Sequence, residues 1–504
     1  MSDTITLTYQ TRAVLEDVAS GILSECASLF NTVERSLYAE RAKGKTTASC
    51  KNSFLKKYQI TARQFNACRV SVEGKVAACQ AGQELAVVTL KQQIESLDKK
   101  IRQLEKKPSK HFILHQKKRR KGILSTRLTL MEKDIKQGCV HLCFGGKKLF
   151  RAQFHREKNN FSSHQEWKAA WESQRNCEFF VLGSKDETGG NQTCTAKIEG
   201  DGKLTLRLRL PDALTEKYGK YLEIKNVHFK YAMEAILSAL DNPNGQALSY
   251  RFKKDKKSWR IFLSTDLKKV DAVSIEGNGV IGIDLNADHI AYVETDRFGN
   301  PIDRGVIPWI SYGKRKGQLK ALTGNICKEL VEKATATKKT LVIEKLDFKK
   351  KKSTLKESSS KFSRLLSGFA YRLFFSCLIA RGFKNGIAVQ QVNPAYTSII
   401  GRVNYAKRYG LSIHLAAALA IARRHQKFSE IPCSSQGEIP DGKGGHVAFV
   451  LPARNRAKHV WHFWGQVKKK LTTVLVAHFR AIKNRSLSPL NPTLETNNSL
   501  LLLV

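Results

Sequence analysis

The run VIGIDLNADHIAYVETDRFGNPIDRG, residues 280 to 305, leaves few options for how this chain folds. Val280, Ile281 and Ile283 are bulky strand formers, and His289 to Glu294 continue as a second β-rich run. The cluster Arg297-Phe298-Gly299-Asn300-Pro301 then turns the chain into a third strand. This pattern sets one carboxylate, Asp284, at the end of an apolar strand beside a polar loop. An ordinary three-stranded meander in which Asp284 caps a turn satisfies the same pattern, so the order of the later elements has to decide.

That order is specific. Asn325 to Thr337 carries Ile326, Leu330, Val331 and Ala334 at helical spacing on a polar background. Thr340 to Glu344 reads as a buried strand that ends on a glutamate. A helical region follows over Phe362 to Arg381, then a strand over Gly386 to Val392, stopped by Asn393-Pro394. Gly410 to Ala418 opens an alanine-rich helix reaching about Arg424. Three strands, helix, strand, helix, strand, helix is the element order of an RNase H-like α/β fold, a mixed sheet with helices on its faces. Such a topology brings Asp284, Glu344 and His414 together at the mouth of the sheet. Phosphodiester hydrolysis at sites of this kind uses two Mg²⁺ ions about 3.5–4 Å apart, held by hard oxygen ligands. His414 can ligate a metal, orient the attacking water, or serve only as a first-turn helix residue.

The phrases GIDLNADHIAYVETDRFGN, LVIEKLDF and VNPAYTSIIGRVNYAKRYGLSIHLAAALAIARR resemble the three RuvC nuclease motifs of the transposon-encoded TnpB (OrfB) family, the ancestors of type V CRISPR effectors. The resemblance covers roughly residues 278 to 425 and is looser upstream. It implies an RNA-guided DNA endonuclease with one Mg²⁺-dependent RuvC site, Mn²⁺ being possible. Asp284, Glu344 and His414 stand at the positions of the catalytic, metal-binding triad. Most relatives carry Asp at the third position, where this chain has His414. They also carry a CxxC…CxxC zinc ribbon between the second and third motifs. Here Cys377 is the single cysteine between Glu344 and His414, so no structural zinc is expected.

Charge agrees with a nucleic-acid partner: 87 Lys plus Arg against 44 Asp plus Glu leave a formal net charge of +43 over 504 residues. A field of that size attracts polyanions without distinguishing RNA from DNA. No signal peptide or long apolar span is legible, so no membrane partner is expected. Eleven cysteines without a pairing pattern suit reduced thiols, and a cytoplasmic, nucleoid-associated prokaryotic protein is expected. The tight group Cys139-Val140-His141-Leu142-Cys143 lacks a second ligand pair, which favours free thiols over a metal site.

The length suggests about three domains. Ile5 to Tyr9 alternates like an isolated strand, and residues 13 to 138 read as helical, with a charged helix pair over roughly 82 to 136. Lys117, Lys118, Arg119 and Arg120 in that pair are candidate nucleic-acid contacts; a solvated helical hairpin is the bland alternative. From Cys143 to Leu267 short strands separated by Gly-rich turns suggest a small barrel. Within it, Phe144-Gly-Gly-Lys-Lys-Leu-Phe150 offers Lys147 and Lys148 to a phosphate, or is a plain β-turn. By resemblance, residues 1–10 and 139–272 form a wedge-like β-barrel domain, 11–138 an inserted helical recognition lobe, and 273–430 the RuvC-like domain with a lid insertion at about 345–385. Lys349, Lys350, Lys351 and Lys352 can steer single-stranded DNA or be a solvated charge run, and Tyr396 can stack on a base. Residues 431–484 read as a Gly/Pro loop and a basic helix over 467–484, and 485–504 as a disordered tail.

The function these features imply is a monomeric ribonucleoprotein. Its guide RNA would pair with target double-stranded DNA beside a short flanking motif that the protein reads. A nuclease-impaired RNA-guided repressor, an unguided RuvC-type nuclease and a transposition accessory protein are the alternatives.

Overall fold

The computed structural model describes residues 4–486 apart from 107, 201, 231–232, 242–245, 256–257, 269, 287, 312, 346–367, 433 and 442–444. The chain forms two compact units, Met1–Lys268 and Lys269–Val504.

The first unit opens with β1 (Thr4–Ala13), whose partner lies at the far end of the unit. Its helices are α1 (Asp17–Ala42), α2 (Lys51–Tyr58), α3 (Ala62–Glu105), α4 (His111–Lys136), α5 (Lys147–Ala152) and α6 (His164–Arg175). Then come β2 (Glu178–Val181), β3 (Cys194–Ile198), β4 (Leu204–Arg209), α7 (Asp212–Tyr218), β5 (Tyr221–Val227), α8 (Met233–Leu240), β6 (Ser249–Lys254) and β7 (Trp259–Lys268). Far from being isolated, β1 pairs antiparallel with β7 along its whole length, from Thr4 opposite Lys268 to Ala13 opposite Trp259. The strands form two sheets, ordered β1-β7-β6-β2 and β3-β4-β5, whose inward residues join one core cluster.

Sheet and helices share one core. Phe179 stacks on Phe252 with ring centroids 4.9 Å apart, and Leu23, Phe30 and Leu37 of α1 join Phe65 and Val72 of α3 in the same cluster. The expected helix pair over 82–136 is a 44-residue helix and a 26-residue helix, the first beginning at Ala62. A capping box starts α3: Gln64 N donates to Thr61 Oγ1 at 3.3 Å, and Thr61 N donates to Gln64 Oε1 at 2.9 Å. No residue of α4 is buried. The two helices are tied by ion pairs such as Lys91–Glu132 and Lys121–Asp98, both at 2.7 Å.

The second unit runs β8 (Val280–Leu285), β9 (His289–Thr295), β10 (Pro301–Pro308), α9 (Lys316–Thr337), β11 (Thr340–Glu344), α10 (Gly368–Lys384), β12 (Val389–Val392), α11 (Thr397–Asn404), α12 (Ile413–His425), β13 (Gln436–Pro440), β14 (His446–Val450) and α13 (Val460–Ser486). Its main sheet has the order β10-β9-β8-β11-β12, with β8, β11 and β12 parallel and the hairpin strands antiparallel. Helices cover both faces, and this is the RNase H-like topology expected from the element order.

Alternation along the strands sorts the two faces. Ile281, Ile283, Leu341 and Ile343 cluster with Leu330 of α9 and Phe374 of α10. Val280, Val342 and Val392 meet Ile421 and Ala422 of α12 on the other side. There α12 lies almost on the backbone of the sheet: a Cβ on Gly282 would stand 2.2 Å from the carbonyl oxygen of Ala418. One on Gly401 of α11 would stand 2.3 Å from that of Ala416.

Several boundaries differ from those read in the sequence. The strand before Asn393 is shorter, α9 begins nine residues earlier (at Lys316 instead of Asn325), and α10 reaches Lys384. The span 431–445 contains β13, because Gly437 and Ile439 pair antiparallel with Phe449 and Val447 of β14. Trp461, Phe463 and Trp464 belong to α13 itself, whose apolar side (Phe463, Trp464, Val467, Leu471) closes the core around α12. Among the described residues no helix is long and apolar enough to cross a membrane.

Candidate active site

Register places the carboxylates. Ile343 of β11 lies opposite Ile283 of the parallel strand β8, so Asp284 and Glu344, one residue further on each, stand side by side at the strand ends. By alternation both belong to the α12 face, the side of Gly282 and Val342. Ser412 starts α12, its hydroxyl accepting from Leu415 N at 3.3 Å, which sets His414 in the first turn. From there His414 Nδ1 lies 3.3 Å from Asp284 Oδ2. Two of the three expected catalytic residues therefore touch, and the third sits on the neighbouring strand.

Each group has a further partner. Asn286, in the turn after β8, donates to Asp284 Oδ2 at 2.9 Å. Glu344 Oε1 accepts the Thr397 hydroxyl at the start of α11. The ring of His289 meets that of His414 edge-on, with centroids 4.6 Å apart, and His289 Nδ1 is 2.7 Å from Asp288 Oδ1. Asp288, His289 and Thr397 were not foreseen. The Asp-His pair at the tip of the β8–β9 turn is visible in the sequence, but its approach to His414 depends on register and helix placement.

Asp284 is buried, with its side chain 10% exposed, and none of its hydrogen bonds comes from a lysine or arginine among the described residues. A buried carboxylate in this condition favours a cation nearby. The local field is negative: burial first, then Asp284, Asp288 and Glu344, push the Tyr371 hydroxyl up to about 12. The donor chemistry therefore suits a hard divalent ion. Among the described residues no three His, Cys, Asp or Glu side chains form a group able to hold a metal ion; His414 lies against the Asp284 oxygen, and Glu344 accepts the Thr397 hydroxyl.

Beside Asp284 and His414 opens a cleft of about 200 Å³. Its polar lining includes Asn286, Arg402 of α11, and Lys468 and Thr472 of α13; its apolar lining includes Ile399, Leu471 and Leu475. Arg402 is only 3% exposed, and burial lowers its pKa while Asp441 opposes that shift.

The other candidates are dispersed. Tyr396 adopts a left-handed backbone (φ 61°) before α11 and is half-buried, its hydroxyl 3.2 Å from the position a Cβ on Gly465 would take. It faces α13 and the core. Lys147 and Lys148 are exposed in the first turn of α5, so the Gly-Gly-Lys-Lys segment is a loop entering a helix and not a turn between strands. Gly145 is required there: its φ is 84°, and a Cβ would stand 2.7 Å from the Trp171 ring. Arg119 and Arg120 are exposed on α4, Lys117 is half-buried, and Lys118 pairs with Glu105 at 2.9 Å. Lys349 to Lys352 lie outside the described residues. Among the described cysteines all are free, including Cys139 and Cys143.

No protein-family model and no curated protein matches the chain. Among solved structures it is similar to a Cas12f1–sgRNA–target DNA complex, 14% identical, covering 84% of this chain and 99% of that one with a TM-score of 0.35. It is also similar to Thermus thermophilus RuvC bound to a Holliday junction substrate, 17% identical, covering 29% of this chain and 90% of that one with a TM-score of 0.21. A CRISPR-Cas12f ternary complex is 12% identical, covering 84% and 99% of the respective chains with a TM-score of 0.20.

Proposed function

We propose that this chain is an RNA-guided DNA endonuclease that hydrolyses phosphodiester bonds at a single Mg²⁺-dependent site. The observation that carries the nuclease reading is the buried carboxylate Asp284, with no lysine or arginine partner among the described residues, beside Glu344 at the adjacent parallel strand end and His414 in the first turn of α12. The guided reading is supported by the motif resemblance and by a net charge of +43. Base pairing with a guide RNA would select the target, and the protein would read a short flanking motif in duplex DNA. A monomeric ribonucleoprotein in the prokaryotic cytoplasm, near the nucleoid, is the setting proposed.

Asp284 and Glu344 would hold Mg²⁺, or Mn²⁺, with His414 at the third position. The ion, when bound, supplies charge for activating water and stabilising the leaving oxygen. Asn286 fixes the Asp284 carboxylate, and Thr397 fixes that of Glu344. His414 keeps Nδ1 on Asp284, which leaves Nε2 to orient water.

Histidine at position 414, where the family that the motifs resemble mostly carries aspartate, favours one second reading, an RNA-guided DNA-binding protein with impaired cleavage. The deciding experiment purifies the chain expressed with its native flanking DNA, sequences the bound RNA, and assays cleavage of a matching target with and without Mg²⁺. One abundant RNA with a variable end and Mg²⁺-dependent cutting are expected. Guided binding without cutting would select the second reading, and absence of a defined RNA would remove guidance altogether.

A further inference from the structure

Arg402 is an anomaly that the catalytic residues do not explain. A guanidinium 3% exposed should have its donors satisfied, because a buried charge without hydrogen bonds is costly. One terminal nitrogen of Arg402 does donate, to the Pro440 carbonyl at 2.7 Å. Its Nε has no hydrogen-bond partner among the described residues. Asp441 acts electrostatically on Arg402, but its carboxylate accepts from Gly445 N at 2.9 Å and is approached by His478 at 3.4 Å. The same arginine lines the cleft that holds Asp284 and His414. Lys468 of α13 lines it too, is exposed, and makes no ion pair among the described residues.

We propose that this cleft is a subsite for one phosphodiester group of single-stranded DNA, held by Arg402 and Lys468 beside Asp284. The arginine supplies a buried, always-charged donor, and the lysine a mobile point charge at the rim. Ile399, Leu471 and Leu475 offer the attached sugar an apolar wall. A space of about 200 Å³ has room for a sugar–phosphate unit. The two cations also offset the negative field of Asp284, Asp288 and Glu344, which would otherwise repel the substrate. The subsite deepens the nuclease reading and rests on it for the identity of the strand.

The test measures binding of a fluorescent thymidine tetranucleotide to the full-length protein in EDTA, across a salt series. Lys468→Ala is compared with Lys469→Ala, the next residue on the same helix and outside the cleft lining. Loss of one single-strand phosphate contact should reduce the salt slope by about 0.7 and weaken binding about fivefold at 0.1 M salt relative to 1 M. That loss is expected for Lys468→Ala and for Arg402→Gln, and not for Lys469→Ala. Equal losses at positions 468 and 469, or none at either, would overturn the proposal. If Arg402→Gln does not fold, the lysine comparison decides alone. Because EDTA blocks metal-dependent cleavage, a protein that binds this way but never cuts would keep the subsite and lose the nuclease reading. One that cuts without the selective loss would do the reverse.

Discussion

The two ends of the sheet in the second unit each bury a carboxylate, and they treat it in opposite ways. At the N-terminal end of the parallel strands, Glu294 is 5% exposed and receives the Lys339 ammonium at 2.7 Å. That ammonium also donates to the Thr295 carbonyl at 2.8 Å. At the C-terminal end, Asp284 is 7% exposed, and its side-chain partners among the described residues are the Asn286 amide and the His414 imidazole. Glu294 is neutralised within the fold, so it has nothing left to offer a ligand. Asp284 has no lysine or arginine bonded to it among the described residues, although Arg402 and Lys468 line the same cleft. Burial alone therefore does not separate the two acids; a directly bonded cation does.

The sharpest way to break this comparison is to remove each acid in turn. Asp284→Ala or Glu344→Ala should abolish cleavage while RNA-dependent DNA binding persists, as measured by gel cleavage and mobility shift on the same preparations. Loss of binding would cancel the assigned roles. Glu294→Ala should do the converse, stranding a buried Lys339 and costing about 3–5 kcal/mol of stability in urea unfolding. A variant as stable as the parent would show that the two ends are equivalent after all. His414→Ala should slow single-turnover cleavage about 100-fold, the scale of a lost general acid–base group, and an unchanged rate would make His414 structural. Gly282→Ala should cost about 1–3 kcal/mol by overpacking against α12 and slow cleavage as that helix shifts. The sharpening result would be restored stability without restored activity when a compensating change is made in α12.

Much of the second unit was legible because its signals are local. Asp284 and Glu344 end apolar strands, and Ser412 announces the helix carrying His414. The partners that modify these groups were not legible. Thr397, His289 and Asp288 reach the site through strand register, and Arg402 and Lys468 through the rotation of helices that meet only in three dimensions. The Glu294–Lys339 pair joins residues 45 apart whose alignment follows from sheet order. In the first unit the presence of short strands was legible, but their sorting into the sheets β1-β7-β6-β2 and β3-β4-β5 was not, because strand signals carry no account of which edges meet. The start of α3 is written locally in Thr61 and Gln64, whose capping box stands well upstream of the charged stretch.

The near-contact of α12 with β8 bears on how the site moves. Where a helix rests on a strand with no room for even one added carbon, that segment has little freedom to breathe. Amide protons of Val280 to Asp284 and of Ala416 to Ala422 should exchange with solvent only through large cooperative openings, among the slowest in this unit. Fraying of the edge strand β10 should proceed without disturbing them. Local fluctuations would then reach the cleft through α13 and the Thr397 end of α11, so substrate access and ligand alignment would run on separate clocks.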